Sequence, residues 1–305
     1  MSRNEIHVFL RGGLGNQLFQ YTLGLHISIT EGRDLVIRED LLPKSEDQIS
    51  GVSRWPSQIR DFEHSGQSFA RSRQPAFDTN LFGKFMQAQR MLGDSAPGLL
   101  RRLGIYGAET SKFQDDRLVP EGMRVVNGYA SSKQFALAQK QNLIAQVHKV
   151  RNPSLEFGAL DAEMRLVKPL VIHLRMGDYL SLADIYGSIS TDFVQQGIDS
   201  LTGSNRPATW IFTQNSGELG QELLHTINPE RVIDSRSLKS PLENMLLMSH
   251  GAGLICSNST LSWWAAFFCA EGKNVVVPMY TGKTNVFSDE MILEGWRVVD
   301  VDQRT

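Results

Sequence analysis

An arginine, a glycine and an aspartate set closely behind a short apolar run are the first chemistry this chain offers. Val171 to Tyr179 reads VIHLRMGDY. Val171, Ile172 and Leu174 have the character of a buried strand, and His173, Arg175, Gly177 and Asp178 gather where it should end. In open α/β sheets, ligands sit beyond the carboxyl ends of strands. An arginine there presents a planar, permanently charged fork of donors that matches phosphate oxygens. A Gly-Asp turn with the arginine in a surface ion pair would give the same letters, so the segment needs support from elsewhere.

Two further segments supply it. Gly253 to Ala270 reads GLICSNSTLSWWAAFFCA. A buried strand over Leu254–Ser257 leads into a polar turn, Asn258, Ser259 and Thr260, and then into an apolar helix. Hydroxyls and unpaired N–H groups at a helix start can hold an anion; simple capping by Ser259 or Thr260 is the plainer role. Residues 6–21 read IHVFLRGGLGNQLFQY, an apolar run broken by Gly12, Gly13 and Gly15. Asn16 can cap the helix whose apolar spacing follows at Leu18, Phe19, Leu23 and Ile27. This is strand, glycine turn, helix, but Leu18 stands where the dinucleotide fingerprint needs a third glycine. That counts against a dehydrogenase. A P-loop is excluded because no Gly-Lys-Ser/Thr closes the turn.

GGLGNQLFQY, HLRMGDY and SNSTLSWWAAFF, in this order, resemble the bacterial α-1,2-fucosyltransferases of glycosyltransferase family eleven. Asn127-Gly128-Tyr129 and Leu246-Leu247-Met248-Ser249 resemble two weaker family segments. The resemblance implies an α/β, GT-B-type fold: two Rossmann-like domains facing across a cleft. Residues 1–152 would form the acceptor-side domain with the glycine loop, and residues 153–305 the donor-binding domain. It implies that Arg175 binds the diphosphate of GDP-L-fucose and that His173 lines the donor site. Gly12, Gly13, Gly15, Asn16 and Gln17 would close over the donor. Asn258, Ser259 and Thr260 would lie by the pyrophosphate. Arg175 and Asp178 are the expected catalytic pair. Two departures matter. Met176 replaces a second arginine, as in related protein fucosyltransferases. Thr213-Gln214-Asn215 replaces a strand ending in Ser-Asp-Asp. Gln214 can accept hydrogen bonds from a base through its amide, without charge.

The elements that must position these residues alternate along the chain. Strands are expected at Ile6–Leu10, Leu35–Ile37, Val125–Asn127, Leu170–Leu174, Trp210–Thr213, Arg231–Asp234, Leu254–Ser257 and Asn274–Val277. Helices fall between several of them, which argues for parallel sheets. Ser240-Pro241-Leu242-Glu243 starts one such helix with a cap, a proline and an acid. Residues 44–75 read as a long loop or lid, and residues 89–117 as a solvated helical face.

Composition narrows the class. The chain has 305 residues, 41% of them hydrophobic, and a formal net charge of −2. That length suits two domains of about 150 residues each. The charge gives no support to a nucleic-acid partner. No apolar run approaches the ~20 residues of a membrane span, and no signal peptide is visible; peripheral membrane contact is compatible with this. Cys256 and Cys269 are expected as buried thiols, and the expected compartment is the cytoplasm.

The expected reaction is inverting, metal-independent transfer of L-fucose from GDP-L-fucose to a galactoside, in an α-1,2 linkage, in oligosaccharide or surface polysaccharide synthesis. The partners are then a nucleotide-sugar donor and a glycan acceptor, with no cofactor and no metal. The alternatives are another deoxysugar nucleotide or a non-catalytic nucleotide-sugar-binding relative. Asp300-Val301-Asp302 is the one DxD match and sits beside no glycine turn. Asp178, Asp184 and Asp192 are candidate bases.

Overall fold

The computed structural model describes residues 4–39, 42–43, 45, 47–49, 52–61, 69–71, 105–108, 123, 125–129, 131–147, 150–175, 184, 187, 189–202, 207–214, 217–270, 274–280 and 284–301. The chain divides into two units, residues 1–47 with 54–149 and residues 48–53 with 150–305.

The first unit begins with β1 (Glu5–Phe9), α1 (Leu14–Glu31) and β2 (Asp34–Arg38). Next in the chain comes a small ladder of β3 (Asp47–Ile49) and β4 (Val52–Arg54), most of it in the residues that group with the second unit; β5 (Phe69–Arg71), β6 (Ile105–Ala108) and β7 (Val125–Gly128) then return to the first. Five of these strands form a parallel sheet in the order β5-β2-β1-β7-β6. Helices α2 (Lys133–Ala138) and α3 (Lys140–Val147) close the unit. Parallel sheets are covered on their faces, which explains the near-continuous apolar reading of β1. α1 is buried along its whole middle, from Gln17 to Leu25. It lies very close to the sheet at Gly24, where a β-carbon would collide with the Val8 side chain and come within 2.8 Å of Leu35. Gly24 thus supplies the close helix–strand approach that the dinucleotide fingerprint assigns to its third glycine, one turn and more further along.

The second unit opens with α4 (Leu155–Val167), β8 (Leu170–Leu174), α5 (Thr191–Thr202), β9 (Thr209–Thr213) and α6 (Gly217–Ile227). It continues with β10 (Arg231–Asp234), α7 (Pro241–His250), β11 (Gly253–Ile255), α8 (Thr260–Phe268), β12 (Asn274–Met279) and β13 (Arg297–Asp300). All six strands are parallel, in the order β10-β9-β8-β11-β12-β13. Numbered within the unit, that order is 3-2-1-4-5-6, the doubly wound dinucleotide-fold order. Leu170, Ile172 and Leu174 of β8 pack with Phe193, Val194 and Ile198 of α5 and Leu223 and Ile227 of α6. α7 packs against α4, α8 and β8. In α8, Trp263, Trp264, Phe267 and Phe268 pack as tilted and stacked rings.

The α/β class expected is present, with a parallel sheet in each unit, and all eight expected strands are present. Several details differ. β11 stops at Ile255, because the chain then turns to start α8. β3, β4 and β5 lie within the stretch read as a loop, and β6 within the stretch read as a helical face. β13 was not anticipated; its alternation is masked by its position on a sheet edge, where no residue is fully buried. Neither cysteine is in a disulfide; Cys256 is buried as expected, whereas Cys269, just past the end of α8, is only half-buried. Among the described residues, no helix is long and apolar enough to cross a membrane.

Candidate nucleotide site at the switch point of the second sheet

In the second sheet, the chain leaves β8 in one direction toward β9 and β10, and β11 adds on its other side. Between the carboxyl ends of β8 and β11 lies the switch point, where doubly wound sheets open a crevice for ligand. The two polar segments singled out in the sequence are the two sides of this crevice. Arg175 is half-buried and directly follows β8. Ser257, Asn258 and Ser259 follow β11 and lead into α8. The ladder between β8 and β11 ends with Ile172 opposite Ile255. The Cys256 N–H that follows donates to the Val276 carbonyl of β12, at 2.9 Å, which continues the β11–β12 ladder.

The turn is firmly built. Ser259 caps α8, its hydroxyl accepting from the Leu261 N–H at 3.2 Å, and its own N–H donates to the Ser257 carbonyl at 2.7 Å. The capping role for Ser259 is therefore present. Asn258 is buried, and both ends of its amide are engaged. Its Nδ2 donates to the Thr284 carbonyl at 2.8 Å and its Oδ1 accepts from the Val286 N–H at 2.7 Å. The Trp263 indole donates to the Met291 carbonyl at 2.8 Å. Together they moor the segment after β12 beside the turn. Thr260, the first residue of α8, is half-exposed.

His173 projects to the face opposite Leu174. Its Nδ1 meets the hydroxyls of Ser262 and Ser257, the latter at 3.0 Å, and the two hydroxyls lie 3.1 Å apart. Burial, reinforced by the nearby Arg175 charge, holds the ring down to about 3, so it is neutral at physiological pH. The unfolded chain takes up a proton near pH 6.5 that this site refuses, so stability contributed here is present above that pH and falls as pH drops toward 3. The slope is at most about 1.4 kcal/mol per pH unit. Thermal melting between pH 7.5 and 5 should show a steeper loss in the native protein than in His173→Phe; equal slopes would mean the ring titrates normally.

Gln214 is half-exposed and directly follows β9, where Thr213 pairs with Leu174. It therefore flanks the Arg175 side of the crevice. Asp178, Met176 and Asn215 lie outside the described residues. Asp192 sits exposed in the first turn of α5, a position that suits a carboxylate for helix reasons alone. Asp184 is exposed. Asp300 ends β13, an edge strand two places removed from β11, and no cluster of three metal-ligating side chains occurs among the described residues.

In the first unit, the glycine turn lies beyond β1, beside the end of β7 with its Gly128. Gly12 adopts φ +70, and a β-carbon there would sit 2.5 Å from the Asn16 amide. Only glycine fits comfortably. The helix cap is Gly13 and not Asn16, and no side chain caps it; Gly15 and Asn16 lie in the first turn of α1. Gln17 is fully buried: Nε2 donates to the carbonyls of Gly12 (2.8 Å) and Pro56 (3.0 Å), and Oε1 accepts from the Gln58 N–H (2.8 Å). Gln20, which sequence reasoning passed over, grips the backbone of Arg11: its Oε1 accepts from the Arg11 N–H at 2.8 Å and its Nε2 donates to the Arg11 carbonyl at 3.3 Å. Its only signal was a polar residue inside an otherwise apolar helix.

A doubly wound parallel sheet with an arginine on one side of its switch point and a capped, hydroxyl-bearing helix start on the other is the arrangement in which open α/β sheets place a ligand crevice. Residues 126–300 match the sequence model of glycosyl transferase family 11, and the chain belongs to that family. Among solved structures it is similar to the fucosyltransferase NodZ from Bradyrhizobium, at 16% identity over 87% of this chain and 92% of that one, with a TM-score of 0.49. It is similar at the same identity and coverage, with a TM-score of 0.48, to NodZ α-1,6-fucosyltransferase soaked with GDP-fucose. POFUT1 in complex with GDP is similar at 12% identity over 91% of this chain and 99% of that one, with a TM-score of 0.48. No curated protein matches the chain.

Proposed function

We propose that this protein is an inverting, metal-independent fucosyltransferase that takes L-fucose from GDP-L-fucose and delivers it to a galactoside, in an α-1,2 linkage. Membership of the family supports the reaction class. The observation that carries the donor site is the placement of Arg175 and the Ser259–Thr260 turn beyond the carboxyl ends of the neighbouring strands β8 and β11, at the switch point. Cleaving the donor leaves positive charge on the sugar and negative charge on the departing diphosphate; the transition state resembles an oxocarbenium ion, as in glycoside hydrolysis. Arg175, the hydroxyls of the turn and the first N–H groups of α8 supply fixed, preorganised stabilisation of that diphosphate. In this reading Gln214 faces the base. Gly12, Gly13, Gly15, Asn16 and Gln17 serve the donor from the first unit, with Gln17 holding the turn in shape. Asp178 is the acceptor-side carboxylate.

Gln214 favours a second reading. A neutral amide stands where the resemblance leads one to expect Ser-Asp-Asp, which supports a pocket for the base of another sugar nucleotide, or a relative that binds without turnover. Calorimetry with GDP, UDP and dTDP separates the readings: GDP should bind at least about tenfold more tightly, a difference of about 1.4 kcal/mol. Preference for UDP or dTDP would refute the GDP donor. Transfer from GDP-L-fucose to a galactoside panel should survive excess EDTA; loss restored by magnesium or manganese would refute the arginine-based scheme.

A further inference from the structure

We propose that His173 is a positioning residue: through Ser257 and Ser262 it locks the turn before α8 to the end of β8, and so fixes that turn relative to Arg175. This rests on the reading that a nucleoside diphosphate occupies the switch point.

The backbone explains why such a lock is needed. Up to Ile172 and Ile255, β8 and β11 are joined by their ladder. Past that point, β8 keeps backbone pairing only on its other side, His173 with Phe212 and Leu174 with Thr213. Cys256 meanwhile bonds across to β12. The end of the β8–β11 ladder thus removes the main-chain link between the two motifs. A side chain restores it. His173 belongs to β8, Ser257 to the turn and Ser262 to α8, and their polar atoms close a triangle. All three residues are buried, at 6%, 2% and 0% exposure. With both hydroxyls crowded on Nδ1, that nitrogen is engaged within the protein, and the neutral ring carries its proton on Nε2. A neutral ring suits the task. It accepts a hydroxyl proton while the second hydroxyl donates to the first, and it adds no second cation beside Arg175. An ordinary core histidine would add to stability without bearing on ligand affinity; a positioning residue does the reverse when its polar atom is restored.

The test uses the full chain, GDP as probe, calorimetry for affinity and melting for the fold. His173→Phe keeps the ring and loses the acceptor; His173→Asn returns a polar atom near the place of Nδ1. His173→Phe should weaken GDP binding at least about tenfold, and His173→Asn should stay within about threefold of the native protein. Ser262→Ala should weaken GDP too, and adding it to His173→Phe should change affinity by less than about twofold, because both remove one link. Should His173→Phe fail to fold, His173→Asn against Ser262→Ala carries the same comparison. Native-like GDP affinity in His173→Phe or Ser262→Ala, equal losses in the Phe and Asn variants, or additive losses in the double variant would overturn the proposal. If the native protein itself binds no GDP, UDP or dTDP, the donor-site reading falls, and the lock with it.

Discussion

Arg175→Ala should lower transfer from GDP-L-fucose by on the order of 10²–10³ while the protein melts within a few degrees of the native temperature. The side chain is half-buried beyond the end of β8, so its removal leaves the strand and its core face intact. The charge it faces grows as the diphosphate departs, so the loss should appear in kcat as well as in GDP affinity. Arg175→Lys should recover little, since a point charge does not reproduce the two-pronged fork. Met176→Ala removes no charge and no polar group and should be mild beside it. Initial rates, GDP calorimetry and melting on the three variants test this. Near-native rates in Arg175→Ala, or greater damage from Met176→Ala, would move the donor site elsewhere.

The largest effect on stability should come from Glu243→Gln. Glu243 is fully buried at the start of α7. Its Oε1 accepts from the Ser154 N–H at 2.7 Å; its Oε2 accepts from the Ser154 hydroxyl and the Lys239 N–H, both at 2.9 Å. Ser154 in turn caps α4, accepting from the Phe157 N–H at 3.0 Å. One carboxylate therefore ties the beginnings of two helices together. An amide has the same shape, but whichever way it is turned, its NH2 meets a backbone N–H that needs an acceptor. Bonds to a charged acceptor are worth about 1.5–3 kcal/mol each, and leaving a buried donor unpaired costs about 1–3 kcal/mol. A loss of about 2–4 kcal/mol in urea unfolding is expected on that basis. A change below about 0.5 kcal/mol, the range of ordinary surface substitutions, would show that the clamp does not form.

The sequence carried the parts of the site that are written locally. An apolar run followed by Arg175, and another followed by Ser257 to Thr260, could each be read as a strand with a polar end. The capped start of α7 could be read the same way, and Ser240 does accept from the Glu243 N–H. What could not be read is which residues meet across the fold. Ser262 looks like one more residue of an apolar helix until α8 is laid against β8. Gln17 and Gln20 have the letters of a solvated helix face, and their burial follows from α1 being enclosed on all sides. The same holds for Glu243, whose acid suits a helix start whether or not Ser154 is near. Asn258 reads as a ligand to an anion, yet its amide is consumed by the backbone of Thr284 and Val286.

The 3-2-1-4-5-6 strand order also sets an order of assembly. β9 can dock onto β8, and β10 onto β9, as soon as they and their helices are made, through contacts between neighbours in the chain. β11, the other neighbour of β8, arrives only after α7. Until then β8 is an open edge, with one row of backbone groups unpaired and the His173 ring without its serines. The pairing of Leu170 with Gly253 closes the longest loop in this part of the sheet, and long loops are the slow, entropically costly steps of folding. A chain interrupted before β11 therefore lacks one wall of the crevice, whatever part of the sheet has formed on the other side of β8.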